Sequence, residues 1–408
     1  MSVPLDRLYN FLYDVCNHRD LIIYRFSPHG SRKIEDCTAL FNFTEFESKI
    51  KLPMICHDQE PLRFQDWPPI GASIGVFRHY VYDIFNFYDR VLLLHSEQNS
   101  AELEKFKNSG AIPVYYWSHA LIAQDWYRHA QHDTALGKKN IEKLFLVHNR
   151  AWTGTREYRL KFAELVVKAG LETACKMGFN PKDQDLDYQQ HQFVNNNFCI
   201  QKSNLEDYFY LNQIDSSASA DYDSNDYNKT SIEIVLETLF DDQRWHLTEK
   251  TLRPIACGQP FILTAAAGSL DYLRSYGFQT FAPYIDETYD SIHDPLQRLN
   301  AIISEMQRIS KLPPSMIETL LNQLKEITDF NKHRFFSQEF FQQVVQEYQN
   351  NISVAIAQAQ KFKCATYFNN NRDFFKLMRS PKEYIEIINY VQDHTKNSTG
   401  LLNFKTES

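Results

Sequence analysis

Short apolar runs alternate with amphipathic stretches through two successive parts of the chain. In the first part, four runs predict buried strands: LIIYRF (21–26), KLPMIC (51–56), RVLLLHS (90–96) and IPVYYW (112–117). In the second part, strands are predicted at 143–150, 231–240 and 260–265, and helices at 155–169, 248–258 and 268–278. Because strands separated by helices imply βαβ units and parallel sheets, the sequence predicts an α/β protein.

The length of the chain, 408 residues, suits two such domains followed by helices. The polar segment HAQHDTALGKKN (129–140) is interpreted as the linker between them. We therefore expect an N-terminal α/β domain at 1–135, a C-terminal α/β domain at 143–312 and a helical tail at 313–408. Residues 212–230 are rich in Ser, Asp and Asn, which predicts an exposed, mobile insertion in the second domain.

Charge and apolar content limit the partners and the compartment. The formal net charge of −8 argues against a general electrostatic grip on nucleic acid, so a nucleic-acid partner is possible but not favoured. No apolar run approaches the roughly 18 to 20 residues that cross a bilayer. The N-terminal residues predict an amphipathic helix and not a signal peptide. The seven Cys lack C-x-x-C spacing and suit reduced thiols. We expect a cytoplasmic protein.

The stretch WHLTEKTLRPIACGQPFI (245–262) carries the most chemistry in the second domain. Thr248 is expected to cap a helix whose first backbone N–H groups suit an anion. Basic residues in its first turns suit a diphosphate, and a carboxylate there suits ribose hydroxyls. The preceding strand ends with Glu233 and Glu237. The candidate donor-binding residues of this stretch and strand are Glu237, Thr248, Glu249, Lys250 and Arg253.

A carboxylate-bearing strand, then T-E-K, then a helix ending in Gly-x-Pro resembles the donor site of GT-B glycosyltransferases. The likeness is closest to α-1,3-fucosyltransferases and looser to exostosin-type enzymes. It implies two Rossmann-like domains in a GT-B arrangement with C-terminal helices, and a nucleotide-sugar bound by Glu249 and Lys250. It also implies that the transfer needs no metal or other cofactor.

The resemblance extends to the start of the second domain and covers residues 143–282. FLVHNRAWTGTREYRLKFAEL (145–165) is similar to the family's strand, loop and Arg-bearing helix. An Arg of that region contacts donor phosphates in the family, which points here to Arg150 or Arg156. Arg159 and Arg274 are expected at the surface or in ion pairs. The chain lacks the fucosyltransferase pattern between the two similar blocks, so the donor sugar stays open.

Polar residues follow the predicted strands of the first domain, in CHDQEP (56–61), HSEQN (95–99) and WSHA (117–120). The ends of parallel strands share one edge of a sheet and can line one cleft. Glycosyl transfer with inversion needs a base for the acceptor hydroxyl, and the candidates are Asp58, Glu60, Glu97 and His119. A retaining transfer would use a carboxylate as nucleophile. A metal site at His57, Asp58 and Glu60 is a weaker alternative. A purely structural alternative is that Asp58 and Glu97 cap the helices that follow them and that His119 is a buried imidazole with its hydrogen bonds satisfied. Sugar rings could stack on Trp67, Trp117 and Trp126.

The sequence thus predicts a glycosyltransferase that moves a sugar from a nucleotide-sugar donor to an acceptor hydroxyl. The acceptor would be a glycan, a glycolipid, a protein or a modified nucleobase. The alternative is a non-catalytic carbohydrate-binding or structural protein with the same fold. A kinase or dehydrogenase is not supported, because neither phosphate-binding Gly-rich motif is present. A Ser hydrolase is not favoured either: GASIG (71–75) matches G-x-S-x-G, but a five-residue match alone does not establish a catalytic serine.

Overall fold

The computed structural model describes residues 5–16, 21–24, 52–62, 91–108, 110–183, 186–201, 204–211 and 219–360. Trp67, the segment 212–218 and the end of the expected tail, 361–408, lie outside the described residues. The chain forms two compact units, one of Met1–Ile122 with Gln343–Ser408 and one of Ala123–Gln342. Residues 123–135 therefore belong to the second unit, and the last described turns of the tail belong to the first.

The helices of the described residues are α1 (Asp6–Cys16), α2 (Glu102–Asn108), α3 (Ser118–Trp126), α4 (Tyr158–Lys168), α5 (Ser224–Asn228), α6 (Glu249–Cys257), α7 (Ser269–Ser275), α8 (Pro295–Ser310), α9 (Pro314–Phe335) and α10 (Gln338–Gln360). The α/β class is as the sequence predicts. The predicted helices and strands are present, with bounds that differ by a few residues. No helix among the described ranges has the length and apolar content that a membrane span requires.

The first unit contains a four-stranded parallel sheet in the order β1-β2-β3-β4. Its strands are β1 (Leu21–Tyr24), β2 (Leu52–Cys56), β3 (Val91–His95) and β4 (Ala111–Tyr115). The apolar side chains of β3 are fully buried, as expected for a central strand of a parallel sheet. All four strands run in the same direction, so the polar residues that follow β2, β3 and β4 lie at one edge.

The second unit contains a five-stranded parallel sheet in the order β11-β10-β5-β6-β9. Its strands are β5 (Lys143–Val147), β6 (Cys175–Phe179), β9 (Tyr210–Leu211), β10 (Thr230–Leu236) and β11 (Phe261–Thr264), and β7 (Lys182–Asp183) pairs separately with β8 (Leu186–Asp187). The chain runs outward from β5 through β6 to β9 and then returns to β10 on the other side of β5. The strand order reverses between β5 and β10, and ligands of open α/β sheets bind outside the carboxyl ends of the strands at such a point.

The segment 219–229 precedes β10 and packs against it. It contains α5, and Tyr227 is 1% exposed. The Tyr227 hydroxyl donates a hydrogen bond to Glu233 of β10 at 2.7 Å. The sequence predicts an exposed insertion over 212–230. In the described part, however, Tyr227 is buried against β10, a contact that the polar composition of the segment does not indicate.

The C-terminal helices are amphipathic, as expected, and divide between the units. In the second unit, Arg334 of α9 donates to the backbone oxygen of Tyr276 at 2.6 Å. In the first unit, the Tyr348 hydroxyl of α10 donates to the backbone oxygen of Leu12 at 3.1 Å. The described part of the predicted helical tail, residues 313–360, therefore contributes packing surface to both units.

Candidate functional site

The carboxylate of Glu237 occupies the N-terminus of α6. Glu237 follows β10 and is fully buried. One oxygen accepts from the Thr248 N–H at 2.9 Å and the Thr251 hydroxyl at 2.6 Å, and the other from the Thr248 hydroxyl at 2.7 Å and the Thr238 N–H at 3.2 Å. Thr248 is the N-cap, as predicted. An internal anion thus complements the positive end of this helix. Direct ligand contact by Glu237 stays a prediction, while its hydrogen bonds position Thr248.

Lys250 and Glu249 lie together on the first turn of α6. The Lys250 ammonium is 3.0 Å from the Glu249 carboxylate and 3.0 Å from the Thr248 hydroxyl. A longer bond of 3.4 Å reaches the Thr238 hydroxyl. The Lys250 side chain is 24% exposed and that of Glu249 is 8% exposed. A partly exposed cation that is bonded to two hydroxyls and one carboxylate can be reached by a phosphate from solvent.

Arg253, one turn further along α6, faces the interior. Its guanidinium donates to Glu233 at 2.8 Å and to the Tyr227 hydroxyl at 3.0 Å. Both charged side chains are buried, at 7% and 1% exposure. Removing either partner of such a pair leaves an uncompensated buried charge. A donor-binding role for Arg253 stays a prediction, and the buried pair does not favour it.

The loop that follows β5 is held by one carboxylate oxygen of Asp183. The N–H groups of Trp152 and Thr153 and the Thr153 hydroxyl each donate to that oxygen at 2.8 Å. Arg150 is exposed and Arg156 is half-buried, one on each side of the fixed segment. Both predicted phosphate ligands are therefore accessible to solvent on a loop of defined conformation.

Arg159 of α4 corrects an expectation. A surface or ion-pair position is wrong for this residue, which is 3% exposed. Its guanidinium donates to the backbone oxygens of Ala151 at 2.8 Å, Leu236 at 2.6 Å and Glu237 at 3.1 Å. Carbonyls at the ends of neighbouring strands need donors when they are buried, and this side chain satisfies them. Arg274 is exposed and pairs with Asp271 at 2.6 Å, as expected.

Two polar residues that follow β5 were not among the predicted ligands. Asn149 is 1% exposed, and neither its amide nitrogen nor its amide oxygen has a hydrogen-bond partner among the described residues. His148 is half-buried, and burial, with Arg253 and Lys176, holds its pKa well below the usual value. The sequence signal was present, because both residues directly follow a buried strand at the edge where the strand order reverses.

In the first unit, Asp58 follows β2 and is enclosed by hydroxyl groups. Its carboxylate accepts a 2.7 Å hydrogen bond from Tyr9 and a second bond from Tyr116. Ser118 donates to its backbone oxygen. Burial raises the pKa of Asp58, and the hydrogen bonds from the two tyrosines oppose that rise. Asp58 is thus bonded within the protein at both carboxylate oxygens.

The other candidates of the first unit meet at the same edge. His119 donates from Nε2 to the backbone oxygen of Gln59 at 3.0 Å, since a carbonyl can only accept. Glu97 accepts from the Leu62 N–H at 2.5 Å. Both side chains are buried, whereas Glu60 is half-buried. The ends of β2, β3 and β4 therefore converge, as the parallel arrangement predicts.

The geometry bears on two of the alternative roles at this edge, namely the stacking of sugar rings on tryptophan side chains and the binding of a metal ion. Trp117 is fully buried, so the expectation that its ring stacks on a sugar is wrong for this structure, while Trp126 is half-buried. No group of three or more His, Cys, Asp or Glu side chains within the described ranges could hold a metal ion. The metal alternative at His57, Asp58 and Glu60 thus has no geometric support.

Comparison of the chain with models of protein families, with curated proteins and with solved structures finds no match. Its function is accordingly proposed from the residues and their contacts.

Proposed function

We propose that the chain is a glycosyltransferase that moves a sugar from a nucleotide-sugar donor to an acceptor hydroxyl of a glycan, a glycolipid, a protein or a modified nucleobase. One observation carries the proposal. Lys250, 24% exposed, pairs with the buried Glu249 on the first turn of α6, at the sheet edge next to the reversal of strand order. This placement suits a ligand that carries both a diphosphate and ribose hydroxyls.

The donor side would work by charge complementarity. Lys250 would exchange Glu249 for the diphosphate, and Arg150 and Arg156 would approach it from the loop after β5. These cations would stabilise the negative charge that develops on the leaving nucleoside diphosphate. Glu249, released from Lys250, would accept hydrogen bonds from ribose hydroxyls. No metal or other cofactor is required in this scheme.

The proposal includes the fold that the resemblance implies, two Rossmann-like domains in a GT-B arrangement. The strand order of the second sheet supports the Rossmann-like part, because the chain fills one side of β5 before it crosses to the other. The parallel order of the first sheet is compatible with it. Solution scattering with and without a bound nucleotide would measure whether the units close on each other.

On the acceptor side, His119 would serve as the base. Its Nε2 donates to the backbone oxygen of Gln59, and Nδ1, the other ring nitrogen, would take the proton of the acceptor hydroxyl. A transfer of this kind inverts the anomeric centre. A carboxylate nucleophile, Glu60 or Glu97, would retain it, and the anomeric configuration of the product measured by NMR separates the two.

The test is a thermal-shift screen with UDP-, GDP-, CMP- and dTDP-sugars. A ligand present at a hundred times its dissociation constant stabilises the folded protein by about 2.7 kcal/mol. We expect one nucleotide class to raise the melting temperature of the wild type, and the variants Lys250→Ala and Glu249→Ala to lose that rise. Lys325→Ala, which removes a 66% exposed lysine of α9, is the matched control and should keep it.

Turnover separates an enzyme from a binding protein. Release of nucleoside diphosphate from the donor, accelerated by an acceptor glycan and lost in Lys250→Ala, supports the transferase. Binding of a glycan without a shift by any nucleotide would contradict it and would favour the carbohydrate-binding alternative.

A further inference from the structure

The amide of Asn149 is a buried polar group whose hydrogen-bonding capacity is unused within the described protein. The residue is 1% exposed, and both Nδ2 and Oδ1 lack a partner among the described residues. Leaving a buried donor and a buried acceptor unmet costs stability, and native structures rarely tolerate it without a reason. Within the described ranges nothing completes the amide, so its partner is a ligand, a water molecule or a residue outside those ranges.

The position of Asn149 favours a ligand. Val147 of β5 pairs with Ile234 of β10, so Asn149 lies two residues further, at the level of Leu236 and its partner Thr264 in β11. This is the carboxyl edge beside the reversal of strand order. The Thr264 hydroxyl, which is fully buried, and the Nε of Arg159 also lack partners among the described residues. The residue after β5, the end of β11 and α4 each thus carry a buried polar atom that the described residues leave without a partner, all near the carboxyl edge of this sheet.

The chemistry of an amide selects the part of a ligand that it can bind. An amide presents a donor and an acceptor side by side, whereas a phosphate presents acceptors only. A phosphate would therefore leave the amide oxygen unmet. The edge of a nucleobase, or a pair of ribose hydroxyls, offers both functions. The adjacent His148 is neutral at physiological pH, because burial and the nearby Arg253 and Lys176 lower its pKa, and so adds no charge of its own.

We propose that Asn149 is a specificity-determining residue that hydrogen-bonds the uncharged part of the donor nucleotide, its base edge or its ribose hydroxyls, and not the diphosphate. This inference rests on the proposed function. Different residues would thus bind different parts of the donor. Lys250, Arg150 and Arg156 would bind the diphosphate, and Asn149 would bind the nucleoside.

Melting temperatures can distinguish an amide that binds a ligand from an amide that stabilises the fold. Replacing the first should not lower the melting temperature, whereas replacing the second should lower it. Asn149→Leu removes two unmet polar groups at similar volume. Its melting temperature should therefore equal or exceed that of the wild type. Asn331 is the matched control, also 1% exposed, but with both amide atoms bonded to the backbone of Gln279 at 2.8 Å. Asn331→Leu should lower the melting temperature by several degrees and leave nucleotide binding unchanged.

The binding experiment uses the full chain, with UDP, GDP, CDP, ADP and inorganic pyrophosphate as probes in calorimetric titrations. For the nucleotide that the wild type binds best, Asn149→Leu should weaken binding at least about tenfold, the range of one lost bidentate contact. Pyrophosphate binding should change less than about twofold. If the amide binds the base, the preference among the four nucleotides collapses in the variant. If it binds ribose, all four affinities fall by the same factor.

Four outcomes overturn the proposal: unchanged nucleotide affinity in Asn149→Leu, an equal loss for pyrophosphate, a fall in melting temperature like that of Asn331→Leu, or a wild type that binds none of the nucleotides. The last also removes the proposed function, whereas the first three leave it intact. Thr264→Val, an isosteric change at the second buried polar group without a partner among the described residues, is a second, independent variant. It should keep the melting temperature and weaken nucleotide binding, and unchanged binding there would count against the inference.

Discussion

Burial separates the charged residues of α6 into two roles. Lys250 is 24% exposed and is bonded to a hydroxyl as well as to Glu249, so a ligand in solvent can reach its ammonium group. Arg253 is enclosed with Glu233, so a change of partner would strand a buried charge. Two basic residues three positions apart thus differ in exposure and in bonding, because one reaches solvent and the other packs against β10. Burial also determines how the carboxyl group of Asp290, elsewhere in the second unit, affects stability.

Asp290 supplies a pH-dependent prediction. It is 8% exposed, accepts a hydrogen bond from the Leu270 N–H at 3.1 Å, and burial raises its pKa from 3.8 to about 6. The folded state therefore holds this proton more tightly than the unfolded state, so the carboxyl lowers stability as pH rises from about 4 to 6. Asp290→Asn keeps the acceptor and removes the charge. We expect it to raise the free energy of unfolding at pH 8 by up to about 3 kcal/mol.

Urea denaturation of both proteins between pH 4 and pH 8 measures this effect. The difference should shrink as pH falls towards 4, where the carboxyl is protonated in the folded state. A variant less stable than the wild type at pH 8 would show that the ionised carboxylate is favourable in its place.

At the scale of elements, α6 begins and ends through local chemistry. Thr248 accepts from the Lys250 N–H at the start of the helix. Gly258 ends it in a left-handed conformation with φ of 71°, and its N–H donates to the backbone oxygen of Ile255. Such a residue after a helix is most often glycine, because a Cβ is strained at positive φ. The helix therefore ends at Cys257, and β11 begins at Phe261.

Gly258→Ala tests that terminus. A Cβ there would meet only Lys332 at 3.4 Å, an ordinary contact, so the cost comes from the backbone. We expect the free energy of unfolding to fall by about 1 kcal/mol. Gly137→Ala is the matched control, since nothing lies within 4 Å of its added Cβ and its φ is not positive. Its stability should change by less than about 0.5 kcal/mol, and equal effects of the two substitutions would contradict a backbone origin.

At the scale of the whole molecule, the first unit is assembled from both ends of the chain. Tyr348 of α10 is fully buried, donates to Leu12 of α1, and its ring centroid lies 5.4 Å from that of Tyr116. Asn351 donates to the backbone oxygen of Tyr115 at 2.8 Å. The first unit therefore depends on residues that follow the whole of the second unit in the sequence.

Tyr348→Ala should act on the first unit alone. Deleting a fully buried aromatic side chain costs about 3–5 kcal/mol. Hydrogen exchange should show reduced protection in β3 and β4, with β5 and β10 unchanged. Val354→Ala, on the same helix at 58% exposure, should leave every strand as in the wild type. An equal loss of protection in both sheets after Tyr348→Ala would mean that the two units unfold as one.

Sequence alone determined the elements whose signals are local. The apolar runs at 91–95 and 143–147 are strands because their side chains need burial on both faces, and Thr248 and Gly258 mark helix ends by their own conformational preferences. It also placed polar residues at the ends of parallel strands, which is sufficient to expect that Asp58 and His119 lie at one edge.

Tertiary structure decided what depends on distant partners. Counting charges along the chain cannot distinguish Lys250 from Arg253, since the distinction comes from Glu233 and Tyr227 packing against α6. The burial of Arg159 and the joining of α10 to α1 likewise arise from contacts between segments far apart in the chain. The burial of the Asn149 amide, which has no partner within the described ranges, is also a property of the fold and not of the local sequence. Local sequence sets propensity and pattern, whereas burial and hydrogen-bond partners are properties of the assembled fold.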